Sequence, residues 1–437
     1  MNKHHLTIIA AASIIFAGCS SNEAYGPVPS EAQLAWHDME YYMFCHFGPN
    51  TFTGRSWGLG NEDPDVFNPS DLDCEQWIRT AIAAGMKGLI ITAKHHDGFC
   101  LWPSKFSTHT VAQSAWKDGK GDVLAELRAA ADKYDFPIGV YISPWDRNHP
   151  SYGTGEYNTI FASTIEEVHS KYGPFFEQWF DGANGGAQIP AYDWPLFNGT
   201  VFKQNPNAVI FSDVGPGCRW VGNEKGYVGE TNWCLLDTDG FVPGKGSPKR
   251  DTLNMGNRHG ANWIPAECDV PLTEEWFFDK SHIGTEKTVE QLMDIWFGSV
   301  GRGANLILNV APDTTGRIPA RDSIRIVEFK IARDAFFSNK VASVSECRGT
   351  TITMKPKEAV RCIEIQEDIR YGQRVKAFVV EAYSDGKWTQ IASGTTIGHK
   401  RLLPLSKPSA SSKIRIRITD SYAEPLIRSA CLYGAAI

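Results

Sequence analysis

The sequence predicts an α/β chain: a (β/α)8 TIM-like barrel followed by a small antiparallel β-sandwich. Three observations carry that expectation. From about Trp36 to about Phe337, short apolar runs alternate with helix-patterned stretches, the alternation that builds a parallel sheet wrapped by helices. After about Ser338, polar and apolar residues alternate and turn signals such as Ser384-Asp385-Gly386 intervene, as in strands with one buried face. The 437 residues exceed one ordinary domain, so a large body plus a smaller module is expected. An open doubly wound sheet is the competitor, but no glycine fingerprint follows an early strand.

The expected partition is a leader over 1–18, a tether over 19–35, the barrel over 36–337 and the sandwich over 338–437. Lys3, His4 and His5 lead into the apolar run Leu6–Ala17, which is too short to span a bilayer as a helix. It ends in Phe16-Ala17-Gly18-Cys19, which resembles a bacterial lipobox. That implies cleavage before Cys19, lipidation of its thiol and a lipid-anchored place in the cell envelope, periplasmic or outer-membrane associated. An ordinary secretory signal with an incidental Cys is the alternative. The polar, Pro-containing stretch that follows suits a tether.

Barrel strands are expected at Tyr41–Phe47, Gly88–Ala93, Pro137–Ser143, Phe175–Asp181, Ala208–Ser212 and Asn305–Val310, with helices at Asp71–Ala84, Asp122–Tyr134 and Thr288–Val300 between them. Sandwich strands are expected at Thr351–Met354, Arg361–Gln366, Ala377–Tyr383 and Lys413–Thr419. The sandwich either binds sugar or braces the barrel, and bracing is the simpler expectation.

Composition narrows the function. A formal charge of −7 without a basic stripe argues against a nucleic-acid partner. With Cys19 consumed by lipid, nine of the ten Cys remain, with no CxxC pair, so neither a zinc cage nor a disulfide lattice is expected. No cofactor is implied. The 14 Trp and 12% aromatic content fit a sugar-facing protein, although aromatics more often fill cores.

Chemistry concentrates at expected strand ends, the face where such barrels place their sites. Glu177, Trp179 and Asp181 share one strand face, and Gly182 then permits a sharp turn. A carboxylate beside an indole suits sugar chemistry: the ring offers an apolar platform and the acid can attack or stabilise an anomeric carbon. Capping of the following helix is the plainer role for Asp181. His46 closes the first strand, His95 and His96 the second, and Tyr141-Ile142-Ser143-Pro144-Trp145 the third. Imidazoles donate hydrogen bonds of fixed direction to hydroxyl oxygens. A metal site from His46, His95, His96, Asp97 and Asp181 is the competing reading, but adjacent His95 and His96 face opposite ways unless the strand twists. Neither an HxH pair nor an HExxH helix occurs. Gly301-Arg302-Gly303 precedes a strand, so it is a tight approach rather than a phosphate loop.

The segments Met43–Gly48, Ala93–Phe99, Trp179-Phe180-Asp181-Gly182 and Asn305–Pro312 together resemble the α-L-fucosidases of glycoside hydrolase family 29. The resemblance runs from about Trp36 to about Pro319, and the family's architecture also accommodates the sandwich. It implies a retaining exo-hydrolase acting on fucosylated oligosaccharides and releasing terminal α-L-fucose. Membrane contact is expected only through the lipid anchor that the lipobox-like segment implies. Carried over, Asp181 matches the nucleophile, and His46, His95, His96, Tyr141 and Trp179 match residues that hold the sugar. Trp57 is expected against the sugar too. The family often has Glu before that Trp, whereas Ser56 stands here, so a hydroxyl contact is either lost or supplied by another group such as Glu62.

For the general acid/base, Arg219–Gly226 resembles the branch that cleaves α-1,3- and α-1,4-linked fucose, which points to Glu224, just past the strand expected at Ala208–Ser212. Glu267 is the runner-up, with a substrate-binding or loop-holding role as its alternative, and Glu230 is third. A retaining mechanism needs the two carboxyls roughly 5–5.5 Å apart. Other function classes are a non-catalytic glycan-binding envelope lipoprotein and a metal-dependent barrel hydrolase.

Overall fold

A computed structural model describes residues 23–185 and 191–435 of the chain. The expected leader and Cys19 lie outside them. Order begins earlier than a free tether allows. Tyr25 already donates its N–H to Tyr371 O at 3.0 Å, and helix α1 spans Glu31–Met39. The helix start is local chemistry: Ser30 caps the backbone of Gln33, and the Gln33 side chain reaches back to Ser30 N–H, a reciprocal capping box.

Eight parallel strands close a barrel: β1 Tyr41–Cys45, β2 Leu89–Lys94, β3 Ile138–Ile142, β4 Glu177–Trp179, β5 Val209–Ser212, β6 Cys218–Trp220, then β9 Ala266–Pro271 and β10 Asn305–Asn309. Between β6 and β9 a long excursion carries the two-stranded ribbon β7 Leu235–Leu236 and β8 Asn262–Trp263. Helix α2 (Pro49–Thr53) follows β1. Around the barrel lie α3 Cys74–Ala83, α4 Val123–Tyr134, α5 Glu156–Tyr172, α6 Trp194–Gln204, α8 Val289–Gly298 and α9 Ala320–Phe336, while α7 Arg250–Met255 belongs to the excursion. Side-chain caps start several of them: Asp73 for α3, Asp122 for α4 and Thr288 for α8.

Strand alternation divides the residues into two layers. Tyr41, Met43, Cys45, Leu89, Ile91, Ile138 and Val140 face outward and pack under the helices. Tyr42, Phe44, Ile90, Tyr141, Trp179, Val209, Phe211 and Ile307 fill the interior with Trp36. Trp36 comes from α1, which closes the N-terminal ends of the strands. Its indole donates to Glu177 Oε2 at 2.8 Å, and its carbonyl accepts Asn305 Nδ2 at 2.6 Å. Gln33 ties the same helix to Gly217 O and Trp263 O, both at 2.8 Å. Burying an indole of this size contributes about 3 kcal/mol.

The second unit is a sandwich of two four-stranded antiparallel sheets, ordered β11-β18-β13-β16 and β12-β17-β14-β15. Its strands are β11 Lys340–Arg348, β12 Thr351–Met354, β13 Val360–Glu367, β14 Val375–Ser384, β15 Lys387–Gly394, β16 Arg401–Ser409, β17 Ile414–Ser421 and β18 Leu426–Tyr433. It grips the excursion: Gln373 bonds Cys234 N and Asn232 O, both at 2.8 Å, and Thr396 Oγ1 accepts Asn232 N–H at 2.9 Å.

Candidate active site

The C-terminal ends of the strands open into a cavity of about 100 Å³ lined by Phe44, His46, Ser56, Trp57, His95, His96, Tyr141, Trp179, Asp181, Ala183, Glu224, Asp269 and Trp276. Eight residues singled out from sequence therefore meet in one place: His46, Trp57, His95, His96, Tyr141, Trp179, Asp181 and Glu224.

Asp181 lies just beyond β4. Its Oδ2 accepts the Tyr141 hydroxyl at 3.0 Å, and its Oδ1 accepts Ala183 N–H at 2.7 Å. His96 Nε2 stands 3.6 Å from Oδ2. These donors stabilise a negative charge on the carboxylate. Burial, and then the nearby Asp181 charge, push the Tyr141 phenol well above its usual range, so it stays a donor.

Adjacent His95 and His96 both reach the cavity, their rings 4.1 Å apart. Both lie just past the end of β2 at Lys94, in a turn closed by Gly98 N–H donating to His95 O at 3.0 Å, where the alternation of strand faces no longer applies. Burial lowers all three histidines: His46 to about 3, His96 to about 4 and His95 well below its usual value. His46 Nδ1 pairs with Asn309 Oδ1 at 2.8 Å, and His96 Nδ1 pairs with Ser143 Oγ at 2.7 Å. The site thus offers neutral imidazoles as directional partners for hydroxyl groups.

Trp179 forms a wall, its ring flat on Phe211 at 3.8 Å and stacked on Tyr141 at 5.3 Å. Trp57 is 56% exposed at the mouth, edge-on to Trp145 and His96. Ser56 donates to Glu275 Oε2 at 2.7 Å. Glu62, the expected substitute for a missing contact, instead accepts the backbone N–H groups of Leu59 and Gly60 and shapes its own loop.

Glu224 follows β6 rather than the fifth strand, because β5 and β6 are joined by residues 213–217 without a helix. Arg219, fully buried in β6, ties the Glu224-bearing excursion together by donating to Leu253 O, Asn232 Oδ1, Trp233 O and Ile264 O. Burial raises the Glu224 pKa; the Trp276 indole, 3.4 Å from Oε2, opposes this, and the Asp181 charge adds to it. The cavity therefore holds one half-buried, donor-rich carboxylate and, on its exposed rim, a second that favours its proton.

Glu267 does not line the cavity, which corrects its expected substrate-binding role. It is 0% exposed, below Trp179, whose indole donates to Oε1 at 2.8 Å, and it also bonds the Tyr42 hydroxyl. Burial raises its pKa, and Glu177 beside it is raised well above the usual carboxyl range by burial and by Glu267. Glu267→Ala should leave the Trp179 indole unpaired above a void and cost about 2–4 kcal/mol in urea unfolding. Glu267→Gln should stay within about 1.5 kcal/mol of the parent. Glu230 also stands apart, pairing with Arg302 at 3.6 Å.

For metals, the described residues bring Glu177, Cys218 and Glu267 together, yet both carboxylates are already taken by Trp36, Tyr42 and Trp179. Asp97 is buried, its Oδ1 accepting Phe99 N–H at 2.7 Å. It does not join the histidines at the cavity.

Asp269 and Trp276 were missed from sequence. Asp269 lies in β9, accepts the Trp220 indole at 3.0 Å, and is held well above the usual range by burial and then by Glu224. A larger groove between α1 and the sandwich, lined by residues such as Glu31, Asp38, Arg370 and Arg428, has no Trp, Tyr or Phe. Its charges pair with one another, Arg370 with Asp368 and Arg428 with Asp38.

Comparison with known proteins agrees with this geometry. A family model described as Alpha-L-fucosidase matches residues 30–329. The chain is 37% identical to α-L-fucosidase 1 of Arabidopsis thaliana, over 93% of this chain and 87% of that one. A putative α-L-fucosidase from Bacteroides ovatus has a crystal structure that superposes with a TM-score of 0.85 at 41% identity, covering 93% of this chain and 74% of the other. A Ruminococcus gnavus GH29 fucosidase, solved in complex with fucose, gives 0.85 at 30% identity, covering 95% and 96%.

Proposed function

From a chain that belongs to the α-L-fucosidase family, glycoside hydrolase family 29, and is thus a fucose-releasing glycoside hydrolase, we propose a retaining exo-enzyme that removes α-1,3- and α-1,4-linked L-fucose from oligosaccharides. The observation that carries the mechanism is the pairing, in one cavity, of donor-rich Asp181 with proton-retaining Glu224.

In the first step Glu224 passes its proton to the glycosidic oxygen as the bond to the anomeric carbon breaks. The Asp181 carboxylate bonds that carbon from the opposite face, giving a fucosyl ester. Glu224, now ionised, takes a proton from water; the water oxygen attacks the anomeric carbon, and the ester bond to Asp181 breaks. Two inversions give retention. His46, His95 and His96 orient the hydroxyls, and Trp179 lies against the ring. A pocket that merely accepts a methyl in place of a hydroxymethyl discriminates by about 1–3 kcal/mol, so the histidines carry more of the specificity.

The linkage reading is supported by the Arg219–Gly226 segment and by Trp57, an exposed platform at the mouth for the rest of the glycan. Proton NMR during turnover of isomeric fucosylated oligosaccharides tests both halves. The α anomer of fucose should form first, and α-1,3/1,4 isomers should be consumed well before α-1,2 and α-1,6 isomers. A first-formed β anomer would defeat the mechanism, and preferred α-1,2 cleavage would defeat the linkage. The lipobox-like Phe16–Cys19 segment supports an envelope lipoprotein anchored through Cys19.

A further inference from the structure

Glu23–Pro29 runs along the sandwich. The Tyr25 N–H bonds Tyr371 O at 3.0 Å, its ring lies flat on Tyr422 at 5.4 Å, and Arg374 donates to Glu23 O. Gly372, at φ +89°, lets the strap approach: a Cβ there would come within 2.1 Å of the Tyr25 carbonyl oxygen. Arg258 and Lys376 stand over the Tyr422 ring at 5.4 and 4.8 Å. From Ser30 the chain enters α1, which closes the N-terminal ends of the barrel strands. The cavity opens at the other ends. Glu177, held by Trp36, begins β4, and Asp181 lies four residues further along, about 13 Å up the strand direction.

Resting on the reading of Cys19 as a lipid anchor, we propose that the surface around Tyr25, Tyr422, Arg258 and Lys376 lies against the bilayer that holds the anchor. The cavity mouth then faces away from that bilayer and takes fucosylated glycans from the aqueous phase rather than glycolipids of its own membrane.

The argument is one of reach. Ser20, Ser21 and Asn22 alone separate Cys19 from Glu23, and four Cα steps span at most about 14 Å. The headgroup layer is itself about 5–7 Å deep on each side. A body pinned at Glu23 cannot stand off by its own diameter or roll over. Stacked tyrosines flanked by cations suit the interface, where amphipathic rings and basic side chains settle. Lys376 also pairs with Asp420 at 2.6 Å, and Glu424 is exposed nearby. The face therefore carries both signs, and the covalent leash, rather than net charge, holds it down.

The test uses the mature lipidated chain in phosphatidylcholine–phosphatidylglycerol vesicles whose headgroups carry a nitroxide. A fluorophore is placed at Glu424→Cys or, on the loop between β3 and α5, at Thr154→Cys. The background is Cys347→Ser, which removes the half-exposed thiol among the described residues. Quenching should be severalfold stronger at 424 than at 154. A Gly/Ser spacer of about twenty residues between Asn22 and Glu23, adding ~25 Å of reach, should remove most of that difference. A fucosylated glycolipid in the same vesicle should be cleaved severalfold more slowly than the same glycan free in solution, and the spacer should narrow the gap. Equal quenching at both positions, stronger quenching at 154, or glycolipid cleaved as fast as free glycan overturns the orientation. Mass spectrometry of the mature N-terminus separates this from failure of the anchor: an unacylated Cys19 sinks the anchor reading, whereas an acylated chain with the wrong quenching sinks only the orientation.

Discussion

Asp181→Ala should reduce turnover on the order of 10⁴-fold or more while the thermal melt stays close to that of the parent. The carboxylate sits at the cavity, not in the core, and its removal frees only the Tyr141 hydroxyl and the Ala183 N–H, both next to space that water can enter. Fucose should still bind, because the histidines and Trp179 are untouched. The stereochemistry is the sharper readout. With an activated aryl fucoside, azide can enter the gap and displace the leaving group in one step, so any fucosyl azide formed should have the β configuration. Asp213 is the group to watch. Burial, and then Asp181, raise its carboxyl to about 6, and Asp213 oxygens come within 3.0 Å of a Cβ placed at Gly182. Removing the Asp181 charge lowers the Asp213 pKa and leaves a weaker, displaced anion. Substantial residual retaining activity in Asp181→Ala that vanishes in Asp181→Ala/Asp213→Ala would transfer the nucleophile's role to Asp213.

The parts of the molecule that were readable from sequence share a physical cause. β1, β2, β3 and β5 are buried on both faces and read as largely apolar runs, and the C-terminal ends of the first three fall where His46, His95 and Tyr141 were expected. β6 and β9 escaped notice because their positions are filled by chemistry: Arg219, Glu267 and Asp269 make those segments look like loops, yet each is buried and hydrogen-bonded. Asp269 and the placement of Glu224 were hidden for the same reason. The simultaneous reach of His95 and His96 comes from the turn that begins just past β2, where strand alternation no longer holds. Glu267 is the runner-up acid from sequence, but the inward pleat at the start of β9 places it under the Trp179 wall rather than in the cavity.

Glu224→Ala should give the second large effect, and its pattern depends on the leaving group. General acid catalysis contributes about 10²–10⁴-fold, so an oligosaccharide with a poor leaving group should lose that much kcat/KM, while an activated aryl fucoside should lose little in the first step. Azide should then restore turnover by attacking the Asp181 ester, giving α-fucosyl azide, opposite in configuration to the Asp181→Ala product. The pH profile follows from the sign of the shift. Burial and the Asp181 charge raise the Glu224 pKa, so the acid is protonated below that value and activity falls as pH rises through it. In Glu224→Gln that alkaline limb should disappear along with most of the activity. His46 and His96, lowered to about 3 and 4, are already neutral across this range and cannot supply the limb. Asp269 is the one other cavity group that titrates upward and touches Glu224 electrostatically. Should Glu224→Ala retain full activity on oligosaccharides while Asp269→Ala shows the leaving-group dependence and the α-azide product, the proton donor is Asp269.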